Sequence, residues 1–350
     1  MIETDAVILG AGPVGIFQAF QLGLLEISAH IIDALPYPGG QCVELYADKA
    51  IYDIPGVPVC TGRELIANLL TQVAPFKPQW HLGQLVSKME PQPDGRLRVE
   101  TSGGSRFLTK TLFIAAGVGA FQARLPNVEG LAAHIGRQVQ LTPPDADAWA
   151  GREVLVLGDT DSALNAAIAL ATQTTRPKSI TLMHRRNVFA AEPATIAAFQ
   201  ALVDADQIRF IAGQLTAMQE ADGSISAMHY LDADGKEQKL PVDELLVLLG
   251  LSPKLGPIAH WGLEMERRQL KVNTEDFCTD QPGVFAVGDI ITYPGKKKLI
   301  LCGFHETVLA AFGAAAIVFP HKKVLLQYTT TSTRLHSLLG VDSLDSGKKP

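Results

Sequence analysis

Runs of apolar residues are broken at regular intervals by glycine. Ala6-Val7-Ile8-Leu9 is continuous and apolar, the pattern of a parallel strand buried on both faces. A helical stretch over residues 14–25 follows, then a second short strand, His30-Ile31-Ile32. The same order recurs later. Glu153-Val154-Leu155-Val156-Leu157 reads as a buried strand, residues 161–171 as an Ala- and Leu-rich helix, and Ser179-Ile180-Thr181-Leu182-Met183 as the next strand. Residues 308–319 form an apolar stretch too short for a membrane span, expected as a buried helix. The alternation predicts an α/β chain with two Rossmann-like, doubly wound dinucleotide-binding domains.

The turns between these strands and helices carry the chemistry. In Gly10-Ala11-Gly12-Pro13-Val14-Gly15, Gly10 permits the tight turn and Gly12 lets a pyrophosphate approach the backbone. Gly15 lets helix and strand pack closely, and the helix N-terminus faces the phosphates. Asp33 closes the second strand about 20 residues on, where a carboxylate accepts ribose hydroxyls and repels a 2′-phosphate.

The second turn, Gly158-Asp159-Thr160-Asp161-Ser162-Ala163, is less open. Thr160 adds a side chain where close approach is needed, and Asp159 adds negative charge beside a pyrophosphate. That repulsion is worth about 1 kcal/mol in water at contact distance. Its following strand ends in His184-Arg185-Arg186, where two cations suit a 2′-phosphate. A merely solvated basic strand end is the alternative. A tightly held flavin and a visiting NADPH are the expected pair of cofactors.

At 350 residues the chain is long for one compact domain, and 47% hydrophobic with 19% charged residues fits a globular core. A net charge of -6 gives a nucleic-acid role no electrostatic support. The first residues show no basic segment leading into an apolar one, so no signal peptide is expected, nor a membrane role. Four cysteines, Cys42, Cys60, Cys278 and Cys302, form neither a Cys-x-x-Cys pair nor a metal-ligand spacing, so no metal is expected. Reduced thiols in a cytoplasmic protein are the expectation. Residues 343–350 are polar and read as a frayed end.

Several further motifs run along almost the whole chain. They are Gly39-Gly40-Gln41-Cys42-Val43-Glu44-Leu45-Tyr46, Ile51-Tyr52-Asp53-Ile54-Pro55-Gly56, Leu255-Gly256-Pro257-Ile258, Gly288-Asp289-Ile290, Tyr293-Pro294-Gly295-Lys296, Leu299 to Glu306, and Gln327-Tyr328-Thr329-Thr330-Thr331-Ser332. With the two turns, they make the chain resemble the ferredoxin/flavodoxin–NADP⁺ reductases of the thioredoxin-reductase-like type (type 2). Thioredoxin reductases themselves lack the Gly-Gly-Gln element followed by Leu-Tyr and the Tyr-Thr-Thr tail.

The resemblance implies FAD, NADPH, a homodimer, and electron exchange with ferredoxin or flavodoxin. It implies that Asp33 holds the adenosine ribose, Gln41 contacts the flavin region, and Tyr46 stacks on one ring face. Asp289, after Gly288, would bind the ribityl or pyrophosphate part. Val86 and Phe121 would line the FAD site, and Gly158, Ser162, Arg185 and Arg186 the NADPH site. Tyr328 would cover the other ring face, with Thr329 or Thr330 near the reactive edge. Tyr46, Tyr328 and Thr329 are thus the expected catalytic contacts. From the residues alone, each tyrosine reads equally as an ordinary core or interface residue. The family also carries glycines where Asp159 and Thr160 stand, an acid at Asn165 and an arginine at Ala190, so this chain departs from it in the nicotinamide domain.

The expected FAD domain is 1–117 plus 283–350, and the NADPH domain is 118–282. Lys296-Lys297-Lys298 is a candidate basic patch for an acidic ferredoxin, or a solvated loop. Two other functions stay open: a flavin-dependent NAD(P)H reductase of small acceptors, and a flavin-binding sensor or partner protein whose nicotinamide site has decayed.

Overall fold

The computed structural model describes residues 1–145, 147–322 and 324–341, and leaves the side chains of Phe121 and Leu251 aside. The expected frayed end at 343–350 lies outside the described residues. The chain divides into two compact units, Met1–Phe121 with Pro253–Pro350, and Gln122–Ser252.

The first unit is built on a seven-stranded sheet. Ile2–Leu9 lies at its centre, parallel to Ala29–Ile32 on one side and Arg106–Ile114 on the other. The all-apolar end of that strand explains its place. Ala6, Val7 and Ile8 are fully buried and Leu9 nearly so, as in a parallel strand covered on both faces. Gln79–His81 extends the parallel edge. Arg106–Ile114 is long enough to serve two further partners on its other edge. Its first half pairs antiparallel with Leu97–Thr101, and its last residues pair parallel with Val284–Ala286. The chain leaves after the first part of this sheet and returns later to complete it.

The helix Ile300–Val318 is longer than the apolar stretch suggested. By length and composition alone it passes as a candidate membrane span. Its buried positions Gly303, Glu306, Thr307, Ala310, Ala311, Ala314, Ala315 and Val318 recur at helical spacing, the stripe of a helix packed on a core.

The second unit has its own seven-stranded sheet. Glu153–Leu157 is central, parallel to Glu244–Val247 and Ser179–His184. Arg209–Ala221, Ser224–Asp232 and Glu237–Pro241 continue it as an antiparallel meander. Leu155 and Leu157 join one apolar cluster, Val154 and Val156 another. The period of two thus feeds a separate core on each face of the sheet.

Both boundaries differ from the sequence expectation, the first only slightly, at Phe121 rather than residue 117. Gln281-Pro282-Gly283 reads as a domain crossing, yet the first unit already resumes at Pro253. Ile258, Leu263, Leu270 and Phe277 explain why, since they are buried in the same apolar cluster as the first sheet. The 281–283 segment is a tight turn inside the unit, closed by Val284 N donating to Gln281 O at 3.1 Å.

Candidate functional site

The first unit holds an open cleft at the carboxyl ends of its parallel strands. The glycine turn forms its floor. Gly10 has φ of +110°, and a Cβ there would stand 2.4 Å from Ala115 O, so only glycine fits. A Cβ on Gly15 would fall 1.9 Å from Gly10 O, which lets the helix Pro13–Leu24 close onto the strand. Gly12 differs: a Cβ there would meet only Gly40 Cα, at 4.0 Å. It would project into the cleft. The helix starts with proline at N1, has no side-chain cap and carries no acid in its first turn. Its first N–H groups and positive dipole end stay available to an anion.

Asp33 ties the strand end to that turn. Its Oδ2 accepts from Ala11 N at 2.6 Å and its Oδ1 from Leu35 N at 2.8 Å. Burial pushes its carboxyl above the usual range, opposed by these backbone donors. Each oxygen keeps a further lone pair for a ligand hydroxyl.

Gln41 and Tyr46 come from the short helix Gln41–Glu44 and the turn after it, and both line the cleft. Tyr46 OH lies 3.7 Å from Cys42 Sγ. Burial, then the neighbouring thiol, push the Tyr46 phenol above its usual range, so it is a neutral aromatic wall. Val86, Gly288 and Asp289 complete the residues expected here. Phe121 lies in the strand Ala120–Ala123; its side chain lies outside the described residues, while Ala120 lines the cleft.

The structure does not bring Tyr328, Thr329 and Thr330 to this cleft. Tyr328 is 66% exposed, and both threonines are exposed. The segment folds onto the next helix, Thr333–Leu339, instead. Tyr328 O accepts from Thr331 N and Ser332 N, and His336 Nε2 lies 2.6 Å from Thr329 O.

Residues missed by sequence reasoning support the Gly288–Asp289 turn. Gly288 N donates to Glu306 Oε2 at 2.7 Å, and Gln269 Nε2 donates to Asp289 O at 3.2 Å. Glu306 is fully buried and also holds Tyr293 OH and Lys296 Nζ. Burial, then the Glu306 carboxylate, raise the Tyr293 phenol. The expected basic patch therefore loses a member: the Lys296 side chain is only 5% exposed and paired inward. A buried carboxylate on an apolar helix gives no periodic signal. The Tyr293-Pro294-Gly295-Lys296 motif and the run Leu299 to Glu306 are its traces in the sequence.

In the second unit, Gly158 has φ of +152°, and a Cβ would stand 2.5 Å from Leu248 O. Thr160 N-caps the helix Asp161–Thr172 through its backbone position, with no side-chain bond, and Ser162 is exposed in the first turn. The turn is laced to the segment after the strand Ser179–His184. Ala190 N donates to Asp159 O at 2.8 Å, Thr160 bridges Ala190, and Glu192 N donates to the Asp161 carboxylate at 3.1 Å. His184 Nε2 lies 3.4 Å from Asp159 Oδ2, and His184 Nδ1 contacts Arg186 O at 2.9 Å. Arg185 and Arg186 are exposed beside this lacing. The acid that reads as a defect in the turn thus faces an imidazole.

Two dinucleotide turns of this geometry in one chain have known relatives. The pyridine nucleotide-disulphide oxidoreductase family matches residues 4–313. The ferredoxin–NADP reductase of Polaromonas naphthalenivorans (strain CJ2) is 57% identical over 343 residues, covering 98% of this chain and 94% of that protein. Ferredoxin–NADP reductase 2 of Cupriavidus necator is 56% identical over 341 residues, covering 97% of this chain and 92% of that protein. The chain belongs to this oxidoreductase family, among its ferredoxin–NADP reductases. Among solved structures, a thioredoxin reductase from Gloeobacter violaceus has a TM-score of 0.57 at 22% identity, covering 93% of this chain and 98% of that one. This likeness concerns the fold alone, and it agrees with the two Rossmann-like units read from the sequence. The four free cysteines of this reductase-family chain include no Cys-x-x-Cys pair.

Proposed function

We infer that the protein is an FAD-dependent ferredoxin–NADP reductase. The observation that carries this reading is near full-length identity of 57% to a protein of that name. The cleft fits FAD on its own chemistry. Gly12 faces open space where a Cβ would intrude, the adjoining helix end is uncapped, and an acid stands at the strand end.

Bound FAD supplies hydride acceptance from a nicotinamide and one-electron release to a protein partner. The chain's residues orient and tune it. The amides of the Gly10–Gly15 turn hold the pyrophosphate, and Asp33 accepts ribose hydroxyls. Tyr46 offers an apolar aromatic face, Gln41 a hydrogen-bonding amide, Val86 an apolar wall, and Asp289 an acceptor on a turn fixed by Glu306 and Gln269. In the second unit, Arg185 and Arg186 suit the 2′-phosphate of NADPH, with Gly158 and Ser162 at its pyrophosphate. Tyr328, Thr329 and Thr330 are not assigned to the cleft of the same chain. A homodimer, a cytoplasmic location and flavodoxin as an alternative partner follow from the family resemblance and complete the reading.

The test is NADPH-dependent reduction of a purified plant-type ferredoxin. Saturable turnover with ferredoxin, and much weaker turnover with a quinone, is expected. The reverse preference would favour the small-acceptor reductase. Tight FAD binding without any NADPH oxidation would favour the decayed-site sensor, a reading motivated by Asp159 and Thr160.

A further inference from the structure

The run Lys296-Lys297-Lys298 is split by the fold. Lys296 Nζ is paired with the Glu306 carboxylate, and both side chains are buried. The same carboxylate accepts from Gly288 N at 2.7 Å and Tyr293 OH at 2.9 Å. A buried ion pair whose oxygens are also hydrogen-bonded fixes its surroundings, because neither partner can leave the other uncompensated. It anchors the chain at Lys296 to the group that holds Gly288. Two residues later, Lys298 lines the cleft alongside Gly288, Asp289 and Ile300. Lys298 is exposed and, among the described residues, makes no salt bridge.

The charges on the cleft wall are unbalanced. Among the described residues, Asp33, Asp289 and Lys298 are its only charged lining side chains. FAD brings a doubly negative pyrophosphate. Hydride from NADPH then adds two electrons and one hydrogen to the ring, releasing NADP⁺ and leaving the reduced ring with one more negative charge. Charges of one sign repel more in a partly desolvated cleft than in water, and one ammonium on the same wall opposes that repulsion.

We propose that Lys298 is a cofactor-contacting residue whose ammonium counters the negative charge of FAD, above all that of the reduced ring. This rests on the reading that the cleft holds FAD. The lysine run is thereby divided: Lys296 is an anchor, and Lys298 serves the cofactor.

The test uses the full-length holoprotein with Lys298→Met, Lys298→Arg and, as control, Lys297→Met. Oxidised FAD affinity is measured by flavin fluorescence, and the midpoint potential by equilibrium titration against a redox dye. Lys298→Met is expected to lower the potential by about 30 mV, a tenfold weaker preference for the reduced form in a two-electron couple. Lys298→Arg should restore most of it, and Lys297→Met should match the parent protein. Equal loss of affinity for both oxidation states, with an unchanged potential, would assign the ammonium to the pyrophosphate rather than the ring. Affinity and potential both unchanged in Lys298→Met would overturn the proposal. A parent protein that binds no FAD would instead overturn the underlying reading.

Discussion

The two nucleotide-binding turns share a topology and carry opposite charge layouts. In the first unit the turn is neutral, and the acid stands at the strand end, where Asp33 accepts from Ala11 N at 2.6 Å. In the second the acid stands in the turn, and the basic residues follow the strand, with His184 3.4 Å from Asp159. One layout suits a cofactor with a bare ribose, the other a cofactor with a 2′-phosphate. The second turn keeps its acid by facing it with an imidazole and by lacing its backbone to Ala190 and Glu192. The same strand–turn–helix unit is thereby set for two ligands through a few side chains.

The comparison breaks most completely at glycines whose Cβ would meet backbone. Gly15→Ala should cost about 3 kcal/mol or more, since a backbone carbonyl cannot move aside. It should yield a flavin-free, less stable protein in thermal unfolding. Gly158→Ala should damage the second unit and abolish NADPH oxidation while FAD stays bound, as read by absorbance after gel filtration. Gly12→Ala has room in the fold but not beside a ligand. Its unfolding without FAD should match the parent, with weaker FAD binding.

A smaller effect is expected from the cations. Charge-assisted hydrogen bonds contribute about 1.5–3 kcal/mol each. Replacing Arg185 and Arg186 together by alanine should therefore lower kcat/KM for NADPH about 100-fold or more and leave NADH unchanged. Asp159→Asn should raise NADPH efficiency by up to about fivefold, given roughly 1 kcal/mol of repulsion in water. His184→Leu should lower it, and the double variant should return near the parent value.

The smallest effect concerns acid. His30 Nδ1 and His81 Nε2 lie 2.9 Å apart on the edge of the first sheet. Burial lowers both imidazoles below their usual range, and for His30 the neighbouring His81 adds to it. Their folded state favours the neutral rings. The stability this gives is present above the ordinary imidazole pKa of about 6.5 and is lost as pH falls. Tm should drop between pH 7 and pH 5, and drop less in a His30→Gln, His81→Gln double variant.

Both turns, Asp33 and the Arg185-Arg186 pair are legible in the sequence because buried parallel strands are continuous apolar runs and glycine marks the turn after each. The return to the first unit at Pro253 is not. Residues 253–282 form short strands and turns whose apolar residues show no period, and Ile258 and Phe277 reveal their core only in space. Lys296 reads as part of an exposed basic run and its pairing with Glu306 is seen only in space, since charge is seldom fully buried without a partner. Tyr328 and its threonines rest on resemblance alone, and the chain places them on an exposed segment.

The central claim is that one chain holds two turns of opposite charge layout, one for FAD and one for NADPH. Anaerobic mixing of the purified yellow protein with NADPH, and separately with NADH, tests it most directly through the flavin absorption band. Rapid bleaching by NADPH, far slower bleaching by NADH, and equal rates once Arg185 and Arg186 are removed are the expected results. Equal rates with both nucleotides in the parent protein, or bleaching by neither, would contradict it.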